Sequence, residues 1–189
     1  PDEPVHLQIA LNDYYFDGIH FINGYSFGIE SWSGDYLTVR RCSFSNFTTT
    51  DSYIGNQAAI SFRADALHDD GQQHYQPPDD VNAFKNYIVI QDCVFRDFSF
   101  VIGIENYGVR NALFEDNLFY NISHIGIHLK STCNHTTIRH NVFENSVGNS
   151  VVINAQYYAN ENDILFNLMK STVQVGGYEE DSGPGVTYI

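Results

Sequence analysis

The chain repeats itself, and that repeat limits its possible folds more tightly than any other feature of its 189 residues. An eight-residue pattern starting at Phe16 returns at Val39, Ile90, Phe114 and Ile138, and less closely at Ile164, with spacings of 23, 51, 24, 24 and 26. Each copy is apolar at its first and sixth positions. The sixth-position series is Phe21, Phe44, Phe95, Phe119, Phe143 and Met169. The fourth position is small or an amide in five copies, as Cys42, Cys93, Asn117, Asn141 and Asn167. A self-similar period near two dozen residues is the mark of a solenoid, in which each unit buries its apolar face only by stacking on the next.

The break in alternation at the fourth position predicts a short strand that bends and continues. Stacked coils then align the phenylalanines as one interior ladder. The fourth positions form a second ladder at the bend, where amides can satisfy the turn backbone. A further strand in each repeat follows a small residue and a β-branched one, at Gly28-Ile29, Ala59-Ile60, Gly103-Ile104, Gly126-Ile127 and Ser150-Val151. There the small residue is expected to permit a turn and the branched one to return to the core. Helical periodicity is absent over these stretches, and the consensus of a leucine-rich repeat is missing. The expected fold is all-β, a right-handed parallel β-helix of about six to seven coils, with residues 1–189 as one domain.

From Phe16 to Ser171 this rhythm resembles the pectin-lyase-like superfamily of parallel β-helices. The resemblance implies the fold. It leaves the activity open, because that superfamily spans polysaccharide lyases, glycoside hydrolases, epimerases, tailspikes and adhesins. The single long spacing implies an insertion on the second coil over residues 63–86, polar and interrupted by Pro77-Pro78, which reads as a surface loop. Neither end resembles a cap. The chain is therefore expected either to be part of a longer solenoid or to stack with copies of itself through open coil ends.

With 23 Asp and Glu against 9 Lys and Arg, the formal net charge is −14, which argues against nucleic acid as a partner. No apolar run is long enough for a membrane span. The carboxylates suit a solvated extracellular surface and offer oxygen ligands to Ca²⁺. The three cysteines, Cys42, Cys93 and Cys133, are too few and scattered for a disulfide framework; the first two are expected as packed thiols, and Cys133 in a turn and exposed. Sequons at Asn46, Asn121 and Asn134 are candidate N-glycosylation sites of a secreted protein.

If Ile29, Ile60, Ile104, Ile127 and Val151 face inward, their successors face outward. One outward row is then Glu30, Ser61, Glu105, His128 and Val152, and the next is Trp32, Arg63, Tyr107, Lys130 and Asn154. Carboxylates, bases and rings in this mixture suit a polysaccharide. In a lyase-type reaction Lys130 or His128 would be the base and Arg63 would neutralise a uronate carboxylate, while Trp32, Tyr107 and Asn154 contact the sugar. Glu30 and Glu105, or Asp69 and Asp70 of the loop, would hold Ca²⁺. Asp69-Asp70 is similar to the paired aspartates of polygalacturonase-like hydrolases, but the Asn-Thr-Asp, Gly-His-Gly and Arg-Ile-Lys runs that accompany them there do not occur here. Two function classes follow: a carbohydrate-interacting protein, with a lyase or hydrolase of acidic polysaccharide as its enzymatic form, or a structural or adhesive β-helix that assembles end to end into a filament.

Overall fold

A computed structural model describes residues 5–9, 12–25, 27–31, 35–49, 57–63, 85–130, 133–145, 151–155, 161–169, 172–175 and 186–188. Among them every regular element is a strand, and no helix is long and apolar enough to cross a membrane.

The strands stack into three parallel sheets of seven, seven and six strands, visited in turn along the chain, and Lys85–Asn86 pairs with Val109–Arg110 in a fourth sheet of two. The first sheet holds Val5–Ile9, Phe27–Ser31, Ala58–Arg63, Ile102–Tyr107, Ile127–Lys130, Val151–Ala155 and Thr172–Val175. The second holds Tyr15–Asp17, Thr38–Arg40, Val89–Gln91, Leu113–Glu115, Thr137–Arg139, Asn162–Leu165 and Val186–Tyr188. The third holds His20–Ile22, Ser43–Ser45, Val94–Phe98, Leu118–Ile122, Val142–Glu144 and Leu168–Met169. Each repeat copy thus supplies one strand of the second sheet, a bend, and one strand of the third. A parallel solenoid follows, because a coil of this length brings each strand back beside its counterpart in the previous copy.

The ladders expected from the repeat are in register. Phe21, Phe44, Phe95, Phe119, Phe143 and Met169 are paired coil to coil. The five rings stack with centroids between 4.7 and 5.0 Å apart. At the bend, the side-chain oxygens of Asn117, Asn141 and Asn167 accept from the backbone N–H groups of Cys93, Asn117 and Asn141 at 2.9, 3.0 and 2.9 Å. Their Nδ2 groups donate to the carbonyls of Ile90, Phe114 and Ile138 at 2.9, 2.9 and 2.8 Å. The amide is selected because it offers donor and acceptor together, so each coil satisfies the bend of its neighbour. Cys42 and Cys93 occupy the same ladder as buried free thiols.

The residues before the bend and after the third-sheet strands adopt left-handed backbone. Arg41, Asp92, Asp116, His140 and Phe166 do so before the bend, Asn23, Asn46 and Asn145 after the strands, and Asp97 and Asn121 near the ends of the longer strands Val94–Phe98 and Leu118–Ile122. Asn and Asp tolerate that region best among side-chain-bearing residues, which explains why the repeat ends on them.

Two expectations change. Gly28 and Gly103 lie inside strands and do not form turns. A Cβ on Gly103 would meet the Gly126 carbonyl at 2.4 Å and the Phe119 ring at 2.8 Å, while one on Gly28 would meet the Ala59 carbonyl at 2.8 Å. Small residues are needed here because the phenylalanine ladder and the neighbouring strand approach so closely. Cys133 is fully buried, and that burial pushes its thiol up to about 12.

Candidate functional site on the outer face of the first sheet

Ile29, Ile60, Ile104, Ile127 and Ile153 form the inward row of the first sheet. Alternation therefore directs the following residues outward, and the register lines up Glu30, Ser61, Glu105, His128 and Asn154. Ile153 takes the place expected for Val151, so Asn154 joins the row of His128 and not that of Lys130. The shift coincides with a bulge between Val151 and Ile153 where this strand meets Thr172–Val175. Two residues farther along, Tyr107 pairs with both Arg63 and Lys130.

The outward row is not solvated as expected. Glu105 is 0%, His128 4% and Lys130 8% exposed, and Glu30, Ser61, Tyr107 and Asn154 are buried with them. The period of two specifies which side of a sheet a residue takes, whereas solvent contact depends on what else packs over that side. The backbone of Arg63 holds the register of the row. Trp32, Asp69 and Asp70 lie outside the described residues.

Within the row, His128 Nδ1 sits 3.6 Å from Glu105 Oε1. Lys130 Nζ lies over the Tyr107 ring, 5.0 Å from its centroid, close enough for a cation–π contact. The two pairs are side by side on the same two strands, Ile102–Tyr107 and Ile127–Lys130. Charged groups are costly to bury unless paired, and here a carboxylate, an imidazole and an ammonium are buried together.

His124 was not legible as part of this group. It precedes the strand of His128, in the bend of Ser123 to Gly126, and burial holds its imidazole below the usual histidine range; nearby His128 adds to that and Glu105 opposes it. No repeat position marks it, since it lies in the irregular connection between the third and first sheets.

Beneath the row, Asn106 points inward between Phe62 and Leu129 in register. Its side-chain amide is fully buried with neither Oδ1 nor Nδ2 hydrogen-bonded. For a cation, no group of three or more His, Cys, Asp or Glu side chains converges among the described residues. Glu30 and Glu105 alone fall short of the six to eight oxygens Ca²⁺ takes.

The sequon asparagines each meet a residue of a neighbouring coil. Asn46 is exposed, and its Nδ2 donates to Asn23 at 3.2 Å. Asn121 is half-buried and donates to Asp97 at 2.8 Å. Asn134 is half-buried and bridges to Arg110.

No curated protein and no solved structure matches the chain. The family model described as the right handed beta helix region matches residues 27–187, which is most of the length and spans the stacked sheets that carry the row. The chain belongs to the right-handed β-helix family.

Proposed function

We propose that this β-helix binds and cleaves an acidic polysaccharide through the outer face of its first sheet. One observation carries the reading: Glu105, His128 and Lys130 are buried together, in register, on two adjacent strands. A β-helix serving only as a scaffold gains nothing from buried ionisable groups, which stabilise less than apolar side chains of the same size. Lys130, one of only nine Lys and Arg in a chain of net charge −14, brings a buried cation to this face and suits an anion.

The chemistry that fits is β-elimination. His128, oriented by Glu105, removes the proton next to a uronate carboxylate and Lys130 offsets the charge that builds on that carboxylate; the carbon–oxygen bond to the departing sugar breaks as the carbon–carbon double bond forms, and the departing oxygen takes its proton from water. Tyr107 and Asn154 supply ring and amide contacts to the sugar. A substrate of this kind lies outside the cell, and an extracellular location goes with the reading.

The test is incubation with polygalacturonate, alginate and glycosaminoglycans, with and without Ca²⁺, following the absorbance of unsaturated products. Product is expected from at least one polymer, and His128→Ala should remove about a hundredfold or more of the rate, the usual contribution of a general base. No product from any of them, under either condition, would sink the elimination reading. New reducing ends without unsaturation would instead indicate hydrolysis by Glu30 and Glu105, whose strands lie two spacings, about 10 Å, apart.

A further inference from the structure

A second feature lies away from that face, at the corner leading into the second sheet. The residue that opens this corner is left-handed in coil after coil: Asp13, Tyr36, Tyr87, Asn111 and His135 have φ between 54° and 64°. Backbone hydrogen bonds at 3.1, 3.0, 3.3 and 3.2 Å tie Asp13, Tyr36, Tyr87 and Asn111 to the coil that follows each of them. Short Asp and Asn fit such a position, whereas a tyrosine there pays a backbone cost. Tyr36 and Tyr87 nevertheless occupy adjacent coils, and their rings stack at 4.9 Å with 8° between planes.

That cost is not recovered by burial, because Tyr36 is 52% and Tyr87 51% exposed. The stacked pair is flanked in the ladder by Asp13 on one side and Asn111 on the other, both exposed and much shorter than tyrosine. The outer ring faces are therefore bordered by polar groups and not by further rings. Asp35 accepts from the Asn86 backbone N–H at 2.7 Å, and Asn111 Nδ2 donates to Asn86 Oδ1 at 3.4 Å, which sets carboxylate and amide groups at fixed positions beside the rings.

We infer that the Tyr36–Tyr87 corner is a second binding site, which takes an uncharged pyranose by stacking its apolar ring face on tyrosine and hydrogen-bonding its hydroxyls to the flanking amides and carboxylates. Charge separates it from the first-sheet site. The described side chains around the rings include Asp13 and Asp35 against Arg110, a balance that does not favour a polyanion. The site stands independently of the elimination reading and would anchor the protein to neutral glycan while the other face meets acidic polymer.

Calorimetric titration of the full chain with cellohexaose and xylohexaose tests it, with polygalacturonate alongside. One of the neutral oligosaccharides is expected to bind. The double variant Tyr36→Asn/Tyr87→Asn should weaken it about tenfold or more while folding intact, since asparagine suits the left-handed backbone. Tyr87→Asn alone provides a milder second variant with a smaller loss. Lys130→Met should leave the binding unchanged. Absence of binding to both oligosaccharides, or equal binding by the double variant, overturns the assignment. So does a loss in Lys130→Met equal to that in the tyrosine variants, which would move the site to the first sheet.

Discussion

The outer faces of the first and second sheets are built by the same alternation and end in opposite environments. On the first, Glu105 and His128 form a pair whose side chains are 0% and 5% exposed. On the second, Arg139 and Glu115 pair at 2.5 Å with side chains 41% and 12% exposed, and Arg40 and Asp92 pair at 3.4 Å with both at 40%. Pairs with at least one partner in contact with water contribute little to stability. The covered pair must be retained against a desolvation cost, which is why the functional reading belongs to the first sheet.

Removing one member of the covered pair gives the largest effect expected. Glu105→Ala leaves His128 buried beside a cavity and should cost about 3 kcal/mol in urea unfolding. Replacing both by leucine should recover most of that loss, because a buried ion pair seldom outperforms apolar packing. The double variant would then be folded and inactive on every polymer, separating the site's role in function from its role in the fold. A double variant as unstable as Glu105→Ala would mean that the pair is structural.

His124 gives the comparison a pH signature of intermediate size. Burial first, and then His128, hold its folded pKa below the value of about 6.5 it has when unfolded, with Glu105 opposing. The unfolded chain therefore binds more protons than the folded one through that window. Stability is present above it and falls as the pH drops below about 6.5. Thermal melts between pH 8 and pH 5, about one and a half units either side of the unfolded pKa, should show a decline that His124→Gln reduces. If wild type and variant decline in parallel, the imidazole is not desolvated.

These expectations differ in how far the sequence anticipates them. The phenylalanine and asparagine ladders were legible because stacking repeats one environment in every coil, so Phe44, Phe95 and Phe119, or Asn117 and Asn141, answer the same demand in turn. The outward side of Glu105, His128 and Lys130 was legible for the same reason. Their burial was not, since alternation along a strand specifies a side of the sheet and not the solvent contact of that side. The register of Asn154 was missed because the strand Val151–Ala155 pairs with its predecessor through Ile153, two residues later than the small and β-branched pair Ser150-Val151 suggests. His124 escaped notice because it sits in a connection, and Tyr36 and Tyr87 because a left-handed corner cannot be read from an aromatic residue.

The smallest effect belongs to the second sheet, and it sets the baseline for the other two. Arg139 Nε donates to Glu115 at 2.5 Å, Gln91 Nε2 reaches the other carboxylate oxygen at 3.4 Å, and His140 Nδ1 lies 3.8 Å away. Glu115 therefore keeps neighbours when Arg139 is lost. Side-chain entropy and screening further reduce the value of an Arg whose side chain is 41% exposed. Arg139→Ala should cost under about 1 kcal/mol, and that difference should shrink in high salt as the Debye length falls. A loss equal to that of Glu105→Ala would erase the distinction between the faces, because it would show that a half-exposed pair is worth as much as a covered one. A loss that persists at high salt would be attributed to the aliphatic stem of Arg139 packing on the sheet.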